Sequence, residues 1–193
     1  MALIMQKCRF LHTPKTGGVW ARTAVRHAGV TFVEYRPPHV RVNRCPGQGM
    51  FTIAFVRHPW MWWRSYWLYK RSNGWDLKNP FDIECMDNRF ENFLCNVLDR
   101  APGYCSQVFS CFAGTRGNEI DFVGRFEDLI NELVRGLQAA GEPFDEDKLR
   151  STPPQNVGDY SCFSTKCSDE LRRRMLEAET SALTRFSYHP DEF

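Results

Sequence analysis

Short apolar runs alternate along this chain with stretches in which apolar residues recur every three or four positions, which is the pattern of strands followed by helices. Residues 6–11 predict a first strand. Residues 18–27 predict the helix behind it, with Val19, Ala21, Ala24 and Val25 among its small or apolar positions and Gly29 to end it. The β-branched and aromatic run 31–35 reads as a second strand. Residues 36–49, rich in Pro, Gly and Arg, read as a loop at the mouth of a site. Residues 52–57 predict a third strand with a fully apolar centre, and Pro59 opens a tryptophan-dense helix over 59–70. After a turn at 76–80, the spacing of Ile83, Met86, Phe90, Phe93, Leu94, Val97 and Leu98 predicts one helix over 81–100. Residues 103–117 are less regular, with a short helix at 107–112. A fourth strand is expected at 119–124, a helix at 127–139, a polar loop at 151–165, and a last helix at 169–186 capped by Ser168. Strands that alternate with helices imply right-handed crossovers. The expected fold is therefore α/β, with a central parallel sheet flanked by helices, in a single domain over residues 1–193.

Two βα turns carry candidate chemistry. The first reads His12-Thr13-Pro14-Lys15-Thr16-Gly17-Gly18-Val19-Trp20. Successive glycines let backbone N–H groups approach an anion, and the first turn of the following helix adds unpaired donors and a positive dipole end. Lys15 adds a mobile charge and Thr16 a hydroxyl. It is not a Walker A loop, in which the lysine follows the last glycine; here Lys15 precedes both. The second turn reads Val56-Arg57-His58-Pro59 and continues into a helix that carries Ser65. An arginine fork and a hydroxyl can both address one anion.

In this order, the two stretches resemble the sulfotransferases that use 3′-phosphoadenylyl sulfate (PAPS), and the spellings "HTPKTGG" and "VRHPWMWWRSYW" look most like the carbohydrate-type branch. The resemblance implies a P-loop-like three-layer fold and transfer of a sulfuryl group to a hydroxyl or amine, with 3′-phosphoadenosine 5′-phosphate (PAP) as product. It implies that Thr13, Pro14, Lys15, Thr16, Gly17, Gly18 and Val19 hold the 5′-phosphosulfate, and that Arg57 and Ser65 hold the 3′-phosphate. Val19 replaces the Ser or Thr that is frequent there, so one hydroxyl donor is missing. Trp20 falls where a tryptophan stacks on adenine in the cytosolic branch; a core role is its alternative. "FVGRFEDL" resembles the family strand that ends in an aromatic, so Phe126 is a stacking candidate or a core aromatic. Asn156, in the polar loop, matches a late cofactor contact. Carbohydrate sulfotransferases use a Glu or a His as base after the second strand, which brings in Glu34 and His39, with His39 preferred for its near-neutral pKa. His12 and His58 read as residues that flank the cofactor. A small-molecule kinase that uses magnesium and ATP, and a binding module without catalysis, are the competing readings.

Composition narrows the partners. A net charge of +2 gives no basic excess of the kind that nucleic-acid binders carry. The apolar start is interrupted at Gln6-Lys7, and no run is long enough to span a bilayer, so the expectation is a soluble cytoplasmic protein without signal peptide or membrane segment. The eight cysteines lack Cys-x-x-Cys pairs or metal-like spacing with the five histidines. No metal is expected, and the acceptor, by resemblance, is a carbohydrate or other small molecule.

Overall fold

The computed structural model describes residues 2–36, 39–115, 119–155 and 160–192. The chain divides into two units, Met1–Arg57 with Val108–Val157 and His58–Gln107 with Gly158–Phe193. In the first unit, Ala2–Ile4 (β1), Cys8–Leu11 (β2), Val33–Tyr35 (β3), Phe51–Val56 (β4) and Phe122–Arg125 (β5) form a five-stranded sheet in the order β3-β1-β2-β4-β5. The helices are, in chain order, Gly18–His27 (α1), Pro59–Asn73 (α2), Pro80–Cys85 (α3), Phe90–Arg100 (α4), Tyr104–Ala113 (α5), Leu129–Ala139 (α6), Glu146–Arg150 (α7), Asp169–Ala178 (α8) and Thr180–Arg185 (α9). The class is α/β, as the alternating pattern predicts.

The sheet is mixed, which corrects the expected parallel sheet. β2, β4 and β5 run parallel, but β1 pairs antiparallel with both β2 and β3. The cause is local. Gln6 and Lys7 do not open a strand; they are the turn of a hairpin, in which Met5 N donates to Cys8 O at 2.9 Å. The Glu142 carboxylate, 5% exposed, accepts from the N–H groups of Gln6 at 3.3 Å and Lys7 at 2.6 Å. The same burial and carboxylate push the Cys8 thiol up to about 12.

β2 is buried throughout and β4 nearly so, as strands covered on both faces should be. On one face Phe10, Ile53 and Phe55 pack with Ala21, Ala24 and Val25 of α1, Leu133 and Leu137 of α6, and Leu149 of α7. On the other, Leu11 and Ala54 meet Val40, Cys45 and Ile120. Buried Arg9 donates to Thr52 Oγ1 and Cys45 O, both at 2.9 Å, and so pins the 40–46 loop to that face. Asp121 accepts from Thr52 N at 2.7 Å, and β5 starts after it rather than at residue 119.

The second unit has an aromatic core. Trp60, Trp62, Trp63, Tyr66 and Trp67 of α2 are all buried, so none of these tryptophans is presented to an acceptor. Trp63 meets Phe93 of α4 at 5.7 Å, and Phe81 of α3 stacks on Tyr104 at 3.9 Å. The helix expected over 81–100 is two helices. Asp87 breaks it: its carboxylate accepts from Arg89 N at 2.7 Å, and its carbonyl accepts from Trp67 Nε1 at 3.0 Å. Lys70 pairs at 2.5 Å with Asp82, a fully buried carboxylate. The last helix is also split, at Glu179, whose buried side chain turns to the start of α5. All eight cysteines are free thiols. Among the described residues no helix is long and apolar enough to cross a membrane.

Candidate functional site

β2, β4 and β5 end side by side, with Leu11 level with Ala54 and Val56 level with Arg125. In open α/β sheets the loops beyond such carboxyl ends are where ligands bind. The loop after β2 is the lysine turn. Gly17 has φ 78°, and a Cβ there would meet Leu129 at 2.6 Å and Phe126 at 3.1 Å. A Cβ on Gly18 would lie 2.0 Å from the His12 ring. Both glycines are therefore required by protein neighbours, a reason that sequence spacing does not contain. Lys15 is not a glycine yet has φ 65°, a left-handed backbone worth about 1 kcal/mol of strain or more.

Helix α1 follows without an acidic first turn, and its first intrahelical bond is Ala21 N to Gly17 O at 3.0 Å. The N–H groups at the start of a helix have no partner within the helix itself. Pro14, Lys15, Gly17 and Val19 are partly exposed, whereas Thr13, Thr16, Gly18 and Trp20 are buried. The Thr16 hydroxyl donates to Thr13 O at 2.8 Å. Among the described residues, buried Thr13 Oγ1 has no hydrogen-bond partner. Trp20 is 6% exposed within the core cluster and donates through Nε1 to Thr152 O at 3.3 Å, the arrangement of a core tryptophan rather than an adenine platform.

Arg57, directly after β4, lies over the Phe126 ring at 4.1 Å and donates through Nη1 to Lys15 O at 3.4 Å. Phe126 in turn packs against Gly17. Three stretches far apart in sequence thus meet at the strand ends. Ser65 is a half-buried residue of α2 in the second unit. His58, also in that unit, is fully buried, donates through Nε2 to His189 O at 3.1 Å and meets the Tyr188 ring edge to face at 5.3 Å. Asn156 lies outside the described residues.

The two candidate bases differ. Glu34, on edge strand β3, pairs with Arg26 at 2.9 Å and Arg22 at 3.5 Å, both on α1. His39 has a left-handed backbone, φ 60°, and its Nδ1 lies 3.1 Å from His12 O. A carbonyl only accepts, so Nδ1 carries the proton and the lone pair of the neutral ring is on Nε2. Desolvation lowers the His39 pKa, opposed by the bond to His12 O and assisted by the charge of Lys15. His12 is lowered to about 3, first by burial and then by His39. The two rings lie 4.8 Å apart. Sequence reading placed His12 beside the cofactor and missed this pairing, which spans 27 positions.

A partly exposed lysine, the Arg57 guanidinium and the start of α1 are the groups at these strand ends that could hold an anion. No protein-family model, curated protein or solved structure matches this chain.

Proposed function

We propose that the protein is a PAPS-dependent sulfotransferase with a P-loop-like three-layer fold, which transfers a sulfuryl group to a hydroxyl of a carbohydrate or other small acceptor. One observation supports the reading above the others: the Arg57 guanidinium of the second resembling stretch lies on Phe126 and donates to the Lys15 carbonyl of the first, at the ends of adjacent parallel strands. PAPS supplies an activated sulfuryl group on a 5′-phosphate leaving group. The N–H groups of Gly17, Gly18 and Val19 hold that phosphate, and Arg57 contributes the charge that recognises a second one. His39 Nε2 accepts the proton of the acceptor hydroxyl as its oxygen bonds sulfur. The bond from sulfur to the phosphate oxygen breaks, its electron pair stays on that oxygen, and Lys15 offsets the charge that develops there.

Calorimetric titration with PAP in the absence of metal, with magnesium-ATP as control, tests the reading. Wild type is expected to bind PAP without metal, and Arg57→Ala to weaken it by roughly 10- to 150-fold, the worth of a hydrogen bond to a charged group. Absence of PAP binding, or preference for magnesium-ATP, would overturn the proposal in favour of a kinase.

A further inference from the structure

His12 meets both halves of the candidate site through different atoms. Its ring lies against Gly18, so close that a Cβ there would be 2.0 Å from Cδ2 and 2.5 Å from Nε2. The other side of the environment is the His39 ring at 4.8 Å, and His39 is closed from a further direction by Phe112 at 6.2 Å, edge to face. The His12 carbonyl holds His39 Nδ1 at 3.1 Å. His39 is itself in a left-handed conformation, which neighbouring contacts must maintain.

We propose that His12 is a positioning residue for His39: ring contact and carbonyl together hold the His39 imidazole as the Nδ1–H tautomer, with the Nε2 lone pair left to take a proton. Since the same ring rests on the first residue of α1, the orientation of the base is tied to the backbone that would hold the donor phosphate. What the base acts on rests on the sulfotransferase reading; the placement of the two rings does not. Burial keeps His12 itself neutral, so its ring adds no charge to that of Lys15, which already opposes protonation of His39. The charged side chains about the pair are Lys15 and Arg22.

Nitrogen-15 NMR of the histidine side chains reads the proposal directly, without catalysis. In wild type His39 is expected to be the Nδ1–H tautomer and to titrate below the ordinary histidine value. His12→Ala keeps the carbonyl but removes the ring, so His39 should become a mixture of tautomers with a pKa moved up toward 6.5. His12→Phe, which restores a ring, should recover the wild-type tautomer. Gly18→Ala, which displaces the His12 ring from the opposite side, should reproduce the alanine phenotype and covers the case in which His12→Ala does not fold. An Nε2–H tautomer in wild type, or an unchanged His39 in folded His12→Ala or Gly18→Ala, would overturn the inference. PAP binding is measured on the same samples. PAP binding with the wrong tautomer sinks the positioning role alone, and the expected tautomer without PAP binding sinks the sulfotransferase reading alone.

Discussion

Two places in the molecule finish their buried polar groups in opposite ways: the carboxylates of the second unit's aromatic core and the strand ends of the first unit. In the second unit, Glu179 is fully buried and accepts from Cys105 N at 3.1 Å, Ser106 N at 2.8 Å, Ser106 Oγ at 2.6 Å and Trp63 Nε1 at 3.2 Å. Asp82, equally buried, accepts from the Tyr66 hydroxyl and Asp76 N and pairs with Lys70. At the strand ends of the first unit, Thr13 Oγ1 is buried without a partner among the described residues, Lys15 and His39 have left-handed backbones, and His12 is held at about 3 with His39 lowered beside it. Saturated buried charge holds a fold together. Strain, an orphaned hydroxyl and perturbed titration cost stability and are typical of groups kept for another molecule.

The sharpest way to break this contrast is to unsaturate the second unit. Glu179→Ala would strand four donors, three of them at the start of α5, and should cost about 3–5 kcal/mol, since each buried donor left unsatisfied costs about 1–3 kcal/mol. Urea unfolding of the variant against wild type measures it; a loss under about 1 kcal/mol would mean that the network is not what holds the aromatic core. Lys15→Ala is the complementary change. It should leave unfolding nearly unaltered yet lower turnover by about 10²–10³, the usual loss when one transition-state charge partner is removed. Lys15→Gly removes the same charge and relieves the left-handed strain, so it should match the alanine variant in turnover without being easier to unfold. A stability loss that accounts for the fall in activity would erase the distinction between the units.

How much of this was legible in the sequence follows from the range of the interactions. The strand-helix alternation and the lysine turn are local, and periodicity and Gly-Gly spelling reveal them. The mixed sheet was hidden because the Gln6-Lys7 turn is held by Glu142, some 135 positions away. The single helices expected over 81–100 and 169–186 had the right apolar spacing, but Asp87 and Glu179 turn their polar groups inward to partners on other elements. For the site, the sequence favoured His39 over Glu34 through its ordinary pKa and its place in a loop expected to face the site. The reasons the structure adds are non-local: arginines of α1 hold Glu34, and the His12 carbonyl fixes the His39 proton. Trp20 fitted two roles by spacing alone, and its bond to Thr152 O places it in the core.

The smallest expected effect sharpens the contrast through pH. His12 is lowered to about 3 in the fold, against about 6.5 in an unfolded chain, so between those values the unfolded chain takes a proton that the fold refuses. Its share of stability is complete above pH 6.5 and is lost as pH falls toward 3, by up to about 1.4 kcal/mol for each pH unit. Glu179 has the opposite sign. Burial raises its pKa, although its hydrogen bonds resist, so its share is complete below the ordinary carboxylate value and is lost as pH rises through the raised one. Mild acid therefore loosens the strand-end cluster while it relieves the buried carboxylate of the second unit. His12→Phe fills a similar volume and does not titrate. The difference in unfolding free energy between wild type and this variant, followed from pH 7 down to pH 4.5, cancels the groups they share and should turn steadily against wild type. Parallel curves would mean that His12 is hydrated enough to take its proton in the fold, and the tight packing of its ring against Gly18 and His39 would have to be given up.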